Sequence, residues 1–208
     1  LEAARQAGCR RVVLASSSAV YGDDPELSKR ENMPFCPLSP YAVQKMTGEY
    51  YAGLYNKLYG LETACLRYFN VFGPRQDPSS PYSGVISIFL DRAAAGCAPM
   101  VYGDGEQTRD FVFVQDVVSA NLRAATEDAA AGKAFNIGTG NTITINRLWQ
   151  RVAELADIKL VPDYHDTRDG DILHSVAAID AARQDLGYVP ETPFEEGLAQ
   201  TYAWYKRQ

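Results

Sequence analysis

The segment SPYAVQKMTGEYYAGLYNKLYGLETACLRY, residues 39–68, predicts a long helix followed at once by a buried strand. Ser39 can cap the helix, whose first position is proline, and Gly60 is typical of a residue just beyond a helix end. The run from 61 to 68 is apolar enough for a buried strand. A second apolar run, RVVLA at 11–15, precedes the helix. Strand, helix and strand in this order predict a parallel sheet with a helical crossover.

Beyond residue 68 the chain alternates shorter elements. The Pro-, Gly- and Ser-rich stretch 73–84 predicts a loop. Short strands are expected within 99–114 and 134–140. Helices are expected at 85–95, 115–131, 144–156, 179–186 and 194–206.

Composition restricts the classes of function. The 208 residues carry a net charge of -6, with 46% hydrophobic and 22% charged residues, as is typical of a soluble globular protein. The acidic balance argues against nucleic acid as the main partner, and no apolar run is long enough to cross a membrane. Four scattered cysteines and two histidines favour reduced thiols in the cytoplasm over a metal site, a disulfide framework or a serine hydrolase.

Three serines follow the first apolar run, within ASSSAVYG at 15–22. They are compatible with a strand that simply ends in a polar turn. They are equally typical of a parallel sheet that brings hydroxyls to its carboxyl end, where such sheets bind ligands. Tyr41 and Lys45 favour the second interpretation, because residues four apart share one helical face. An ammonium beside a phenol favours the phenolate, which can transfer protons near neutral pH.

Six motifs occur in order along the chain: ASSSAVYG, PLSPYAVQK, LRYFNVFGPRQDP, YGDGEQTRDFVFVQDVV, FNIGTG and RDGDILHS. Together they resemble the extended short-chain dehydrogenase/reductases, and more narrowly the NAD-dependent nucleotide-sugar epimerases and dehydratases. Within that family the chain is most similar to the UDP-N-acetylglucosamine and UDP-glucose 4-epimerases. The resemblance covers nearly all of the chain.

The resemblance implies an α/β fold in which a partial Rossmann-type parallel sheet carries a smaller α/β substrate-binding lobe. Residues 1–83 would be the C-terminal part of the NAD-binding domain. Residues 84–208 would be mostly the substrate-binding lobe, with a segment near 110–145 returning to the NAD-binding domain.

The resemblance also assigns catalytic roles. Tyr41 would be the base, and Lys45 would bind the nicotinamide ribose and favour the ionised tyrosine. Ser17 and Ser18 both lie where the family keeps the hydroxyl that contacts the sugar, so both remain candidates. The residues implied to contact NAD are Ser16, Tyr41, Lys45 and Tyr68.

Ala19 distinguishes between reactions within the family. The 4,6-dehydratases resemble a pattern with Asp-Glu at the positions of Ser18 and Ala19, which supply an acid and a base for water elimination. Alanine has no proton to transfer. Oxidation and re-reduction at C4 are therefore the chemistry that this sequence favours.

On the substrate side the resemblance implies a set of contacts, namely Asn70, Val85, Tyr102, Arg109, Arg168, Asp171 and Ser175. Asn70 would lie near the diphosphate, and Tyr102 near the nucleobase. Arg109 and Arg168 would bind the diphosphate, for which planar guanidinium groups are suited. Asp171 would accept a ribose hydroxyl, although an aspartate there could also cap a turn.

Ser175 is expected to govern the size of the sugar. A small residue beside the C2 substituent would admit an N-acetyl group, which favours interconversion of UDP-GlcNAc and UDP-GalNAc. It does not exclude UDP-glucose and UDP-galactose. Ser175 could instead pack beside His174, and Val85 could equally be an ordinary core residue.

The sequence contains no GxxGxxG turn before residue 15, although dinucleotide binding needs one after the first strand. We therefore expect the chain to begin within a domain, to bind NAD poorly by itself and to be inactive alone.

Several other interpretations remain open. The chain could belong to a 4,6-dehydratase or a UDP-glucuronate epimerase, or it could be a non-catalytic module that binds a nucleotide sugar. The family usually dimerises through the Tyr-Lys helix, so a homodimer is expected. The apolar residues Tyr50, Tyr51, Leu54 and Leu58 fit such an interface, but core packing would explain them equally well.

Overall fold

The computed structural model describes residues 1–79, 84–167 and 173–207. The strands are β1 (Arg11–Ser17), β2 (Ser28–Lys29), β3 (Glu62–Tyr68), β4 (Asn70–Phe72), β5 (Met100–Tyr102), β6 (Thr108–Arg109), β7 (Phe111–Phe113), β8 (Lys133–Ile137), β9 (Ile143–Thr144), β10 (Asp163–His165) and β11 (His174–Ala177). The helices are α1 (Glu2–Gln6), α2 (Pro40–Tyr59), α3 (Val85–Ala94), α4 (Val114–Thr126), α5 (Ile145–Ala156), α6 (Asp180–Leu186) and α7 (Phe194–Tyr205).

The predicted strand–helix–strand unit is present. β1 and β3 pair in parallel, with Val13 opposite Ala64, and α2 forms the crossover between them. β8 pairs in parallel with the other edge of β3, which gives the strand order β1-β3-β8. The α/β fold class with a parallel sheet is therefore confirmed.

Shorter strands extend the structure beyond this sheet. β4 and β7 pair in parallel, as do β5 and β10. A four-stranded sheet has the order β2-β11-β6-β9, with β9 antiparallel to β6 and the other pairs parallel. These strands position the substrate-side candidates that follow residue 68.

Two apolar clusters form the interior. The first contains residues from the three-stranded sheet and the helices that cover it, including Leu66, Val112, Phe135, Ile137 and Tyr188. The second contains residues from α3, α5, α7 and β7, including Phe89, Leu90, Phe113, Leu148 and Trp149. Residues from 177–188 also contribute to the first cluster. The predicted domain division returned only a segment near 110–145 to the NAD-binding domain. The domain boundaries themselves stay a prediction.

The helix predicted at 115–131 was too long. α4 ends at Thr126, Glu127 is extended, and a separate 3₁₀ turn covers Asp128–Ala130. The cause is a tertiary contact, because the Arg11 guanidinium donates to the carbonyls of Ala124 and Glu127 at 2.9 and 2.7 Å. Because Arg11 of β1 supplies the hydrogen bonds that these carbonyls need, the helix can end before the alanines at 129–131. Of the helices in the described ranges, none is long and apolar enough to cross a membrane.

Candidate active site

A cavity of about 260 Å³ opens where the carboxyl end of β1 meets the start of α2. Its polar wall includes Ser17, Tyr41 and Asn70, which the sequence selected. The complete lining is Ser16, Ser17, Tyr41, Tyr68, Phe69, Asn70, Val71, Phe72, Gln76, Gly84, Ile86 and Phe111. The carboxyl end of a parallel strand is where such sheets place ligands. The structure therefore brings the predicted base and a predicted serine into one cavity.

Lys45 lies between the strand and the candidate base. Its Nζ donates to the Ala15 carbonyl at 2.9 Å and lies 5.4 Å from the centre of the Tyr41 ring. Tyr41 is 36% exposed, so its ring faces the open cavity and not the core.

Ser16 and Ser17 end β1 and Ser18 follows it, and the three serines have different environments. Ser17 lines the cavity, and its Oγ accepts a hydrogen bond from the Ala19 amide at 3.2 Å, which caps the 3₁₀ turn Ser18–Tyr21. Ser16 is buried, and its Oγ donates to the Glu49 carboxylate. Ser18 is not among the described residues that line the cavity. Ser16 also lines the cavity, and it differs from Ser17 in that its hydroxyl donates to Glu49.

A buried polar network lies directly below the cavity. Arg67 of β3 pairs with Glu49 of α2 at 2.8 Å, and its Nη1 donates to the Tyr21 hydroxyl at 2.8 Å. The Tyr21 hydroxyl donates to Asn136 of β8 at 2.6 Å. Burial alone would lower the pKa of Arg67, but the hydrogen bonds to Glu49 raise it overall. Burial raises the pKa of Tyr21 to about 12.

Asn70 is held by the backbone of Asp110. The Asn70 amide and its Nδ2 both donate to the Asp110 carbonyl, at 3.0 and 3.3 Å. The Asp110 carboxylate in turn accepts from Thr139, Gly140 and Ala177. Burial raises the pKa of Asp110 above its ordinary value, although these hydrogen bonds oppose the shift.

The remaining substrate-side candidates lie on neighbouring strands. Arg109 of β6 pairs with Ser175 of β11, and its Nη1 donates to the Thr108 and Leu173 carbonyls. Ser175 is buried, at 8% exposure. Tyr102 ends β5, with its ring centre 5.8 Å from that of His165.

Three further candidates complete the set. Val85 is the first residue of α3 and packs against the second apolar cluster. Arg168 and Asp171 lie outside the described residues.

Tyr68 lines the cavity with its ring, while its hydroxyl donates to Asn121 of α4 at 2.9 Å. Burial raises the pKa of Tyr68. Its contact with a bound group would therefore come from the ring and not from the hydroxyl, which already has a partner.

Sequence reasoning missed Gln76, which also lines the cavity. Its side-chain oxygen is buried and has no hydrogen-bond partner among the described residues. A buried acceptor of this kind is costly unless a ligand or water supplies a donor. The motif LRYFNVFGPRQDP contains Gln76, but nothing in its local pattern indicates that this side chain faces a cavity.

No group of three or more metal-ligating side chains occurs among residues 1–79, 84–167 and 173–207. Lys45 does have capacity for a ligand, because an ammonium has three donors and its described hydrogen bond uses one of them.

Comparison with known proteins finds a family model and a relative that match most of this chain. The family model described as "NAD dependent epimerase/dehydratase family" matches residues 1–138. A putative UDP-glucose 4-epimerase from Methanocaldococcus jannaschii is 42% identical over 207 residues, covering 99% of this chain and 66% of that protein.

Two solved structures are similar as well. A UDP-N-acetylglucosamine 4-epimerase from Methanobrevibacter ruminantium, in complex with UDP-N-acetylmuramic acid, has a TM-score of 0.94 at 40% identity. The match covers 98% of this chain and 65% of that one. A UDP-glucose 4-epimerase from Thermus thermophilus, in complex with NAD, has a TM-score of 0.88 at 36% identity, with coverage of 99% and 67%. This chain thus spans about two thirds of the length of each relative.

Proposed function

The chain belongs to the NAD-dependent epimerase/dehydratase family, and from that premise we propose that the protein interconverts the C4 epimers of a UDP-sugar. The observation that carries the proposal is the cavity in which Ser17 and Tyr41 meet, with Lys45 beside the tyrosine. The next residue but one after Ser17 is Ala19, which offers no acid or base for a dehydration. The site therefore has the groups for reversible oxidation at one carbon and lacks those for water elimination.

NAD, when bound, supplies a reversible hydride acceptor for C4. Tyr41 takes the proton of the C4 hydroxyl, and Ser17 hydrogen-bonds the same oxygen. With NAD bound, loss of this proton and of a hydride would leave a 4-keto sugar. Once that sugar had rotated about its diphosphate, the hydride would return to its opposite face and Tyr41 would return the proton to the oxygen, which gives the epimer. Lys45 lies beside the tyrosine that takes and returns the proton, with its Nζ 5.4 Å from the centre of the Tyr41 ring.

We propose that Lys45 also holds the nicotinamide ribose, using the donors not bonded to Ala15. Ser16 is a weaker candidate for a side-chain contact, because its hydroxyl donates to Glu49. The 208 residues contain no GxxGxxG turn. We therefore expect them to bind NAD weakly and to be inactive when tested alone.

The proposed substrates are UDP-GlcNAc and UDP-GalNAc. Ser175 is small and lies on β11 opposite Arg109, which we propose binds the diphosphate together with Arg168. Asn70 would lie near the diphosphate, and Gln76 would contact the sugar end, both from the cavity wall. Tyr102 and His165 together would offer ring surfaces to the nucleobase.

We further propose a homodimer in the cytoplasm. α2 exposes an apolar face with Tyr50, Tyr51, Leu54 and Leu58, each at least half exposed. The cysteines are all free thiols, which suits a reducing compartment: Cys9, Cys36, Cys65 and Cys97.

The proposal is tested by proton NMR of UDP-GlcNAc incubated with NAD+ and the protein expressed from its complete reading frame. We expect the anomeric signal of UDP-GalNAc to grow. Tyr41→Phe should lower kcat by about 100-fold or more, as loss of a general base does. Tyr59→Phe, the same change on an exposed ring at the other end of α2, is the matched control and should leave kcat unchanged.

The same spectra separate the alternatives. If only UDP-glucose or UDP-glucuronate is epimerised, the proposed reaction is correct and the proposed substrate is wrong. Replacement of the C6 methylene signals by a methyl doublet would indicate a 4,6-dehydratase. Binding without turnover of any UDP-sugar would overturn the enzymatic proposal in favour of a binding module.

A further inference from the structure

The Glu49–Arg67 ion pair is almost completely withdrawn from solvent. The two side chains are 6% and 4% exposed, and two guanidinium nitrogens, Nε and Nη2, bond to the carboxylate at 2.8–3.1 Å. Neither residue touches the cavity described above. The pair therefore needs a role other than direct contact with a ligand.

Glu49 shares a helical face with the catalytic candidates. Tyr41, Lys45 and Glu49 are spaced by four residues along α2, so they form one stripe toward β1. Two members of the stripe are bonded to that strand, Lys45 to the Ala15 carbonyl and Glu49 to the Ser16 hydroxyl. The third, Tyr41, is left facing the cavity beside Ser17.

Arg67 extends the attachment to the other side of Ser17. Its guanidinium bonds to the Tyr21 hydroxyl, and Tyr21 ends the 3₁₀ turn that Ser17 caps. It also donates to the Glu31 carbonyl at 3.1 Å. The residue before Ser17 and the turn after it are therefore both bonded to one buried ion pair.

Stability alone gives little reason for this arrangement. Removing two charges from water costs free energy that their attraction often fails to return, and well-packed apolar residues of similar volume are often as stabilising. What apolar residues cannot supply is a set of directed bonds between α2, β1, β3 and the turn.

We propose that Glu49 and Arg67 are positioning residues that fix Tyr41 and Lys45 of α2 relative to Ser17 of β1. This inference rests on the proposed epimerase function for its effect on rate. The inference also has a geometric part, which is that the ion pair attaches the first turns of α2 to β1. Hydrogen exchange measures this attachment, and kcat measures the effect on rate.

The test replaces both partners at once, with Glu49→Leu and Arg67→Met in one variant. We expect thermal stability to be kept. Amide hydrogen exchange in residues 41–49 should nevertheless be faster by about tenfold, because the directed bonds are gone. In the same variant kcat should fall by about tenfold or more with KM within about twofold, since a misplacement of about 1 Å can cost about 100-fold in rate.

The matched control is the partly exposed pair on α5, replaced as Arg151→Met with Glu154→Leu. It should change neither the exchange of residues 41–49 nor kcat. If the double core variant fails to fold, Glu49→Gln, which keeps the shape of the side chain, is measured in the same way with the same expectations.

The outcomes are distinct. Unchanged exchange and unchanged kcat in a stable double variant would overturn the positioning role, as would faster exchange with an unaltered kcat. If the parent protein turns over no UDP-sugar, the proposed function fails, and the exchange rates alone then decide whether the pair fixes α2.

Discussion

Asp110 joins separate segments of the chain through one side chain. One carboxylate oxygen accepts from the Thr139 amide and hydroxyl, and the other accepts from the amides of Gly140 and Ala177. The residue is fully buried, and its own carbonyl holds Asn70. The turn after β8, the end of β11 and a cavity residue are thus fixed together by one residue.

Asp110→Asn should therefore be strongly destabilising. The amide would direct its NH₂ group at donors and leave two of them unsatisfied, so we expect the free energy of unfolding to fall by about 3 kcal/mol. Urea unfolding at pH 7 measures this. Asp104→Asn is the control, because Asp104 is exposed and its carboxylate accepts the Glu106 amide, which an asparagine oxygen can also do. Equal small effects for both variants would contradict the role given to Asp110.

Cys65 makes stability depend on alkaline pH. Burial, and then the Glu49 charge, raise the pKa of this thiol from 9.0 to about 12, with Arg67 opposing. The unfolded chain releases the proton above pH 9 and the folded chain does not. The contribution of Cys65 is therefore complete below pH 9 and is lost as pH rises toward 12, by up to about 1.4 kcal/mol per pH unit.

Unfolding of Cys65→Ala should accordingly depend less on pH than unfolding of the parent protein. Between pH 9 and 11 we expect the parent to lose about 2 kcal/mol more than this variant. Urea unfolding at a series of pH values gives the difference. Cys97→Ala, at an exposed site, should keep the slope of the parent, and an unchanged slope in both variants would refute the assignment.

At the scale of an element, α2 shows how local chemistry sets the limits of a helix. The Ser39 hydroxyl accepts the Ala42 amide at 3.1 Å, and the chain leaves the helix through Gly60 at φ of 70°. Gly53, inside the same helix, has no atom within 4 Å of the position that a Cβ would take. The two glycines therefore differ in backbone conformation and not in crowding.

The same substitution at these two sites should have opposite effects. Gly53→Ala should raise the free energy of unfolding by about 0.5–1 kcal/mol, because alanine loses less backbone entropy in a helix. Gly60→Ala should lower it by about 1 kcal/mol or more, because the left-handed conformation is unfavourable with a Cβ. Chemical unfolding of the two variants gives the change in the free energy of unfolding at each site. Changes of the same sign would show that packing, and not backbone conformation, dominates at Gly53 or at Gly60.

Elements with strong local signals were predictable from the sequence. The limits of α2 and β3 followed from caps, glycine and apolar runs, whereas β1 was predicted to end at Ala15 and continues to Ser17. Strands of two residues, such as β2, β6 and β9, are too short for any periodicity to show. The end of α4 depends on Arg11, more than 110 residues earlier in the chain, so local propensity placed it too far along.

The candidate site also contains residues that local sequence signals predicted and residues that depend on tertiary contacts. The joint placement of Tyr41 and Lys45 followed from helical spacing. The difference between Ser16 and Ser17 did not, because it depends on Glu49, which is distant in sequence and adjacent only after folding. Gln76 was missed for the same reason, since only the folded loop brings it to the cavity.

At the scale of the whole molecule, the two apolar clusters leave one long apolar surface uncovered. On α2, Tyr50 and Tyr51 are each 57% exposed, Leu54 is 50% exposed and Leu58 is 62% exposed. They recur at intervals of three, four and seven residues, which places them on one face of the helix. Contiguous exposed apolar surface of this kind is typical of an interaction site. It supports the proposed homodimer, and among the described residues neither apolar cluster contains these four side chains.

Leu54→Asp should weaken that dimer by about tenfold or more, because a carboxylate at the centre of an apolar interface is buried without a partner. Sedimentation velocity over a series of protein concentrations measures the association, and far-UV circular dichroism should confirm that the variant stays folded. Val161→Asp is the matched control, since Val161 is 76% exposed and lies on the segment before β10, away from α2. It should leave the association unchanged. A parent protein that stays monomeric throughout, or equal weakening by both substitutions, would overturn the assignment of this face to dimerisation.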